Sequence, residues 1–300
     1  MRSLRQSHVV ILGYHRVSEL NDPFDLAVSP GEFEAHLRFL ARSARPVTLQ
    51  QAAMELGRGS IAPRTVVVTF DDGYDDTLAM AAPLLRTYGV PATVFITTGN
   101  PGEPFWWHVL AHCVFGETRL PDRLSVEAGG RRYSYATSNR ARGLRQLAAI
   151  LRPLPATERA AVLSSLAEQC GLRTLPALPR ALRKEEITLL ASEPLVEIGA
   201  HTVTHPPLAR VPVAQRRTEI VNSQRTLETL TGVLPRSFSY PHGSVDRVTR
   251  DLITEAGFSV ACTTDPDVAT PASDPIALPR LWVDGRRKAG FARWLNRWLG

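Results

Sequence analysis

The sequence predicts an α/β protein built on a parallel sheet or barrel, and three observations support this prediction. Runs of β-branched and other apolar residues alternate with segments whose apolar residues recur at helical spacing, which is typical of parallel strands joined by helices. Hydrophobic residues make up 44% and charged residues 21% of the 300 residues, so the chain can bury a sizeable core. Residues able to do chemistry follow several of the apolar runs, as they do at the strand ends of such sheets.

The first third of the chain predicts strands and helices in alternation. Ser29 is a helix-capping residue followed by Pro30, and Phe33, Leu37 and Leu40 then recur at helical spacing. The other predicted elements, in chain order, are strand 8–12, helix 48–56, strand 65–70, helix 77–88 and strand 92–97.

Residues 100–182 interrupt this alternation. Proline and glycine residues break the chain at 101–104, a dense aromatic cluster occupies 105–107, and arginine-rich helical segments follow. We interpret 100–182 as a mainly helical insertion within a single catalytic domain that spans residues 1–300. Most of the aromatic cluster is expected to pack internally, although tryptophan faces could also stack on sugar rings.

The alternation resumes after residue 182. The predicted helices are 184–191, 213–230 and 245–256, and the predicted strands are 195–198, 237–240, 258–263 and 276–281. A C-terminal amphipathic helix is predicted at about 287–299; we expect it to dock on the barrel, with an interfacial membrane contact as the alternative.

Two adjacent carboxylates, Asp71 and Asp72, follow the predicted strand 65–70 and precede a glycine. Aspartate and glycine are also common in turns for local reasons, so on its own this motif leaves a turn and a site both open. His201 and His205 follow another predicted strand, and two imidazoles four residues apart converge on one side of a helical turn. One carboxylate with two imidazoles suits zinc or a similar divalent ion, whereas an isolated pair of histidines at this spacing would more often be structural.

A third motif completes the pattern: residues 238–243 read Phe-Ser-Tyr-Pro-His-Gly. Together with Thr-Phe-Asp-Asp-Gly at 69–73 and His-Thr-Val-Thr-His at 201–205, it resembles the NodB-homology polysaccharide deacetylase family. The resemblance covers roughly residues 8–100 and 185–285. It implies a distorted (β/α) barrel and a metal-dependent hydrolase that removes N-acetyl groups from N-acetylhexosamine units of a polysaccharide or its precursor.

The resemblance also implies a role for each motif residue. Asp72, His201 and His205 would hold the divalent ion, with zinc as the default and iron, cobalt or nickel as alternatives. Asp71 would be the general base. The turn that the family uses to bind the oxyanion and the substrate would be formed by Tyr240, Pro241, His242 and Gly243, with the backbone N–H of His242 as donor.

The sequence departs from the family pattern at two places. Ser239 stands where many members carry an arginine that orients the base, and no leucine-x-histidine motif follows near the C-terminus to supply the acid. The poly-N-acetylglucosamine deacetylases depart similarly and look circularly permuted, with an N-terminal strand that ends in Tyr-His, as Tyr14-His15 does here. We therefore predict His15 as the general acid and Arg280 as the positive group near the base. A core histidine and a surface salt bridge are the respective alternatives.

An acetylated carbohydrate is the predicted partner. A net charge of +6 could suggest nucleic acid, but the arginines are scattered along the chain, so nucleic-acid binding is not expected. The apolar stretch 9–12 is too short for a signal-peptide core, which predicts a cytoplasmic protein, with contact at the inner membrane face left open. That location keeps open removal of formyl or acetyl from a lipid- or nucleotide-linked sugar, while a catalytically silent carbohydrate-binding protein on the same fold is a rival from another class.

Overall fold

We analysed the fold in a computed structural model, which describes residues 8–19, 22–116, 120–172, 174–283 and 290–299. Contacts divide the chain into two compact units: Met1–Pro101 with Leu182–Gly300, and Gly102–Ala181. The strands are β1 Val9–Tyr14, β2 Arg16–Val17, β3 Ala27–Val28, β4 Arg45–Pro46, β5 Thr65–Phe70, β6 Ala92–Ile96, β7 Arg123–Ala128, β8 Arg131–Ala136, β9 Val196–Ala200, β10 Ser237–Ser239, β11 Val260–Cys262 and β12 Leu281–Trp282. The α-helices are α1 Pro30–Ser43, α2 Leu49–Arg58, α3 Ala82–Tyr88, α4 Trp106–Phe115, α5 Arg140–Leu151, α6 Ala156–Gln169, α7 Lys184–Ala191, α8 Val213–Thr231, α9 Arg247–Glu255 and α10 Phe291–Leu299.

The larger unit contains an eight-stranded sheet in the order β11-β10-β9-β6-β5-β1-β12, with β4 beside β5, and the strands pair in parallel. Strands β1 and β5 are buried along their whole length, which explains why both read as nearly continuous apolar runs. Sequence alternation therefore predicted the sheet correctly, because parallel strands need helical crossovers between them.

The segment that contains β12 joins the two ends of this sheet. The Leu278 backbone N–H donates to the Ala261 carbonyl of β11 at 2.8 Å. The Val283 N–H donates to the Gly13 carbonyl of β1 at 2.9 Å. The sheet thus curls into the predicted barrel. The predicted strand 276–281 is wrong in its bounds because the segment leaves one edge before it reaches the other, so regular pairing covers only Leu281–Trp282.

Most other predicted boundaries agree with the structure to within one or two residues, and three elements need comment. The predicted helix 77–88 begins with a π-helical turn, Thr77–Ala81, before α3. The predicted strand 258–263 is shorter, as β11. The C-terminal helix is α10, and the predicted residues 287–289 lie outside the described residues.

The apolar face of α10 packs on α1 of the barrel. The Phe291 ring stacks on the His36 ring with centroids 3.8 Å apart, and Trp294, Leu295 and Leu299 are buried. Docking therefore covers the apolar face. Within the described residues, no helix is both long and apolar enough to cross a membrane.

The smaller unit contains α4, α5 and α6 and the antiparallel hairpin β7-β8. The sequence analysis did not anticipate the hairpin, although β7 alternates exposed and buried residues and Gly129 and Gly130, both at positive φ, form its turn. The predicted aromatic cluster packs within this smaller unit. The Phe105 and Trp107 rings stack with centroids 4.6 Å apart, and the Arg159 guanidinium lies over the Trp106 ring.

Candidate active site

Apart from Arg280, which immediately precedes β12, the predicted site residues follow four strands of the larger unit at their carboxyl ends. His15 follows β1, Asp71 and Asp72 follow β5, His201 follows β9, and the turn that contains His242 follows β10. Because parallel strands end at the same edge of the barrel, residues far apart in sequence reach one location there.

Asp72, His201 and His205 form the group of ligands that could hold a metal ion, and all three are buried. One ligand atom from each lies within 4.8 Å of the others. The Asp72 Oδ1 atom is 3.5 Å from His201 Nε2 and 3.3 Å from His205 Nε2. The structure thus brings the three predicted ligands together.

A hydrogen bond sets the orientation of the His201 ring. Its Nδ1 atom is 2.7 Å from the carbonyl oxygen of Ser239, an acceptor, so Nδ1 carries the proton and donates. In a neutral ring, Nε2 would then present its lone pair toward Asp72. This is the arrangement in which a histidine serves as a metal ligand, with its second nitrogen bound to an outer partner.

The donor set also fits a divalent cation by an accounting of polar atoms. Asp72 Oδ1 is buried and has no hydrogen-bond partner among the described residues. A buried carboxylate oxygen without a partner is unfavourable, and a cation held with the two imidazoles would satisfy it. One carboxylate with two imidazoles leaves coordination positions for water and substrate, which suits zinc and similar ions.

The backbone around these ligands adopts unusual angles. Asp72, Thr202, His205 and His242 all have positive φ, between 57° and 74°. For residues with a Cβ atom such angles cost about 1 kcal/mol or more, so they persist only where surrounding contacts enforce them. The described chain contains six non-glycine residues with positive φ, and four of them lie at this site.

Asp71 lies beside the candidate metal ligands, and Arg280 and Ser239 hold its carboxylate. The Arg280 Nη1 atom donates to Asp71 Oδ1 and its Nη2 atom donates to Oδ2, both at 2.7 Å. The Ser239 hydroxyl donates to Oδ2 at 3.0 Å. Burial would raise the pKa of the Asp71 carboxyl, but the Arg280 guanidinium, with a smaller contribution from His201, holds that pKa well below its usual range. Asp71 is therefore ionised at neutral pH.

Arg280 is completely buried and makes further contacts that fix its position. Its Nε donates to the Thr263 carbonyl at 3.0 Å, and its Nη1 donates to the Thr69 hydroxyl at 3.1 Å. The guanidinium also lies over the Trp282 ring, 4.7 Å from its centroid. The structure therefore places Arg280 on Asp71 and excludes the alternative of a surface salt bridge.

Ser239 occupies the position of the missing family arginine and connects both halves of the site. Its hydroxyl group donates to Asp71 and also accepts a hydrogen bond from Arg280 Nη2 at 2.8 Å. Its backbone carbonyl orients the His201 ring. Sequence reasoning noted Ser239 only as a departure. Its small side chain at a strand end was the available signal, because it leaves room for a guanidinium from another strand.

His15 lies half-buried at the end of β1, and its ring stacks on Trp282 with centroids 4.6 Å apart. A positive charge on the His15 ring would make a small contribution to lowering the pKa of the Asp71 carboxyl. Trp282 therefore contacts both His15 and Arg280, a role that the sequence analysis missed. Gly13 makes room for it, because a Cβ atom there would lie 2.9 Å from the indole ring.

The predicted turn 240–243 lies next to the metal ligands. The Tyr240 N–H donates to the Cys262 carbonyl, and the buried Tyr240 hydroxyl donates to the Ile276 carbonyl at 2.8 Å. These two bonds fix the start of the turn. The exposed His242 ring packs edge-to-face on His205 at 4.5 Å, and Pro241 is buried. Gly243 has a φ of 64°, and a Cβ atom there would lie 2.0 Å from Thr264 Oγ1. The His242 N–H as oxyanion donor stays a prediction.

Comparison with known proteins gives three findings. A family model described as polysaccharide deacetylase matches residues 58–261. A poly-beta-1,6-N-acetyl-D-glucosamine N-deacetylase of Staphylococcus aureus is 29% identical over 113 residues, which cover 33% of this chain and 39% of that protein. The chain thus spans about two fifths of the length of the curated relatives it matches.

Two solved structures are similar over nearly their whole length. The Streptococcus pyogenes deacetylase PplD, in complex with acetate, superposes with a TM-score of 0.66 at 16% identity, covering 98% of this chain and 99% of that one. IcaB from Ammonifex degensii superposes with a TM-score of 0.65 at 21% identity, covering 96% and 97%. At these identities the likeness concerns the fold.

Proposed function

Because the chain belongs to the polysaccharide deacetylase family, we propose that it is a metal-dependent hydrolase that removes N-acetyl groups from N-acetylhexosamine units of a polysaccharide or its precursor. The family match confirms the predicted family resemblance, and the two similar structures confirm the predicted barrel. The observation that carries the proposal is the adjacent placement of an ionised, arginine-bound Asp71 and the Asp72-His201-His205 ligand set.

Asp72, His201 and His205 would hold the ion, with zinc as the default and iron, cobalt or nickel as alternatives. A divalent ion in this set would polarise the amide carbonyl of the substrate and make a water molecule more acidic. The His201 ring, oriented by the Ser239 carbonyl, and the Asp72 oxygen without a hydrogen-bond partner are the two features of the described chain that support this assignment.

Asp71 is the proposed general base. A carboxylate oxygen accepts two hydrogen bonds, and Oδ1 accepts one from Arg280, so it retains a lone pair for a proton from the attacking water. Arg280 and Ser239 hold the carboxylate in one orientation. Arg280 would thus orient Asp71, the role of the arginine that the family carries at the position of Ser239.

His15 is the proposed general acid that protonates the leaving amine. It approaches the site from β1, and its stacking on Trp282 restricts its ring to one plane. The backbone N–H of His242 is the proposed donor to the oxygen that becomes negatively charged during attack. Base, acid and oxyanion donor would thus come from three strand ends.

The substrate class is supported by the similarity to the staphylococcal deacetylase, whose name specifies β-1,6-linked N-acetylglucosamine. The test is acetate release from β-1,6-linked N-acetylglucosamine oligomers, measured by mass spectrometry alongside the metal content of the purified protein. We expect wild type to release acetate and to contain stoichiometric metal. Release only from lipid- or nucleotide-linked sugars would favour that rival substrate class, and oligomer binding without release or metal would favour a binding protein.

Two variants separate the roles of the adjacent carboxylates. Asp72→Ala should empty the metal site, because it removes one of three ligands. Asp71→Asn should retain the metal and reduce turnover by at least about 100-fold, the usual contribution of a general base. An Asp71→Asn protein that loses its metal, or an Asp72→Ala protein that keeps it, would contradict this division of roles.

A further inference from the structure

We propose that Glu219, on α8, positions the loop that carries His201 and His205 and thereby sets the affinity of the centre for its divalent ion. The inference rests on the proposed function, since it takes Asp72 and the two histidines as metal ligands. Glu219 is 6% exposed and lies outside every motif singled out in the sequence.

The Glu219 carboxylate receives three hydrogen bonds from the middle of this loop. Its Oε2 atom accepts the backbone N–H groups of Val203 and Thr204, both at 2.8 Å. Its Oε1 atom accepts the Thr204 hydroxyl at 2.6 Å. Two successive backbone N–H groups that converge on one anion form a concave anion-binding site, and here a side chain of the same protein fills it.

The loop needs such support because its backbone is strained. Thr202 and His205, the residues on either side of the pair that Glu219 binds, have φ values of 67° and 58°. The Thr202 hydroxyl accepts the His205 N–H at 3.0 Å, a local contact that depends on the turn being formed already. Without an acceptor for the two central N–H groups, an extended backbone solvated by water would compete with the strained turn.

A second set of contacts holds the opposite side of the same loop. The Gly99 N–H donates to the Val203 carbonyl at 2.8 Å, and the Thr98 N–H donates to the Thr202 carbonyl at 3.2 Å. The segment after β6 therefore fixes the carbonyl groups while Glu219 fixes the N–H groups. Loss of either side frees the loop to rotate, and His205 moves with it.

Glu219 acts through the loop, so it is a positioning residue. Replacement of an outer partner of a metal ligand typically weakens metal binding 10–100-fold, and we expect Glu219→Ala to fall in that range. Glu219→Gln should restore most of the affinity. Its amide oxygen can accept the two N–H groups, and its NH₂ group can donate to the Thr204 hydroxyl, which also accepts.

Glu219→Asp tests geometry at constant charge. The aspartate carboxylate is one methylene further from the loop, so it should behave like alanine if the three contacts matter and like glutamate if only the negative charge does. Glu228→Ala is the matched control, since Glu228 is an exposed glutamate of the same helix. Leu227→Ala, which leaves a cavity under α8, controls for a general loss of stability.

The experiment is a Co²⁺ titration of the metal-free full-length chain without substrate, followed by absorption, with amide hydrogen exchange at Val203 and Thr204 on the same samples. We expect weaker Co²⁺ binding and faster exchange at both amides in Glu219→Ala and Glu219→Asp, near wild-type values in Glu219→Gln, and unchanged Co²⁺ affinity in both controls. Wild-type affinity in folded Glu219→Ala and Glu219→Asp, or an equal loss in Leu227→Ala, would overturn the role of Glu219 and leave the proposed function standing. A wild-type chain that binds no Co²⁺ would overturn the metal centre itself, and with it this inference.

Discussion

Replacing Arg280 by methionine should destabilise the protein strongly, and adding Asp71→Asn should restore much of the loss. Arg280 is fully buried, Asp71 is 3% exposed, and two 2.7 Å contacts join them. Removal of one partner from a buried ion pair leaves an uncompensated charge and costs about 3–5 kcal/mol. The double variant leaves a neutral amide beside a methionine, so neither charge of the pair remains buried.

The measurement is a double-mutant cycle from urea unfolding of wild type, Arg280→Met, Asp71→Asn and the double variant. A chelator should be present, because metal binding to the folded state would otherwise add to each value. We expect each single variant to lose about 3 kcal/mol or more and the double variant to lose less than either single variant, so the coupling energy should exceed about 3 kcal/mol, the upper end for contacting residues.

The matched control is the exposed pair Arg250–Asp274, whose side chains are 43% and 42% exposed with a contact of 3.0 Å. An exposed pair couples by about 0.2–1 kcal/mol. Additive losses in the Arg280–Asp71 cycle, or a coupling no larger than that of the control, would refute the claim that burial makes this pair a unit.

Two further predictions concern histidines. His15→Ala should lower turnover by about 100-fold or more without changing metal content, because a general acid contributes to the reaction and not to metal binding; near-normal turnover would remove His15 from the mechanism. Burial lowers the pKa of His36 to about 4, so the unfolded chain binds its proton first, and the free energy of unfolding should fall by about 3 kcal/mol between pH 7 and 4 from this group. Urea unfolding of wild type and His36→Gln at both pH values checks this, and an identical pH dependence would contradict it.

Much of the site could be predicted from sequence because its main residues are local to strand ends. Asp71 and Asp72 directly follow an apolar run, and so do His201 and His205, so a one-dimensional pattern places them at the same edge of a parallel sheet. The position of Arg280 followed from a family resemblance and a missing arginine. Its contact with Asp71 is a three-dimensional fact that no spacing in the sequence encodes.

The features that escaped prediction depend on contacts between distant segments. The segment with β12 looked like an ordinary strand, yet its two halves bond to different edges of the sheet, which apolar periodicity cannot show. The Ser239 carbonyl that orients His201 is a backbone group, so no side-chain motif reveals it. A single tryptophan in an apolar run is typical of a core, so nothing in the sequence marks Trp282 as part of the site.

The segment that closes the barrel also determines when, along a growing chain, the base can be assembled. Asp71 and Arg280 are 209 residues apart, and β12 pairs with β1, the first strand of the described residues. Contacts this distant in sequence form late, because the intervening chain must be ordered or its loop entropy overcome. A nascent chain that has already made the three candidate metal ligands therefore still lacks the residue that orients the proposed base, and that orientation arises only after the segment around Arg280 has been synthesised.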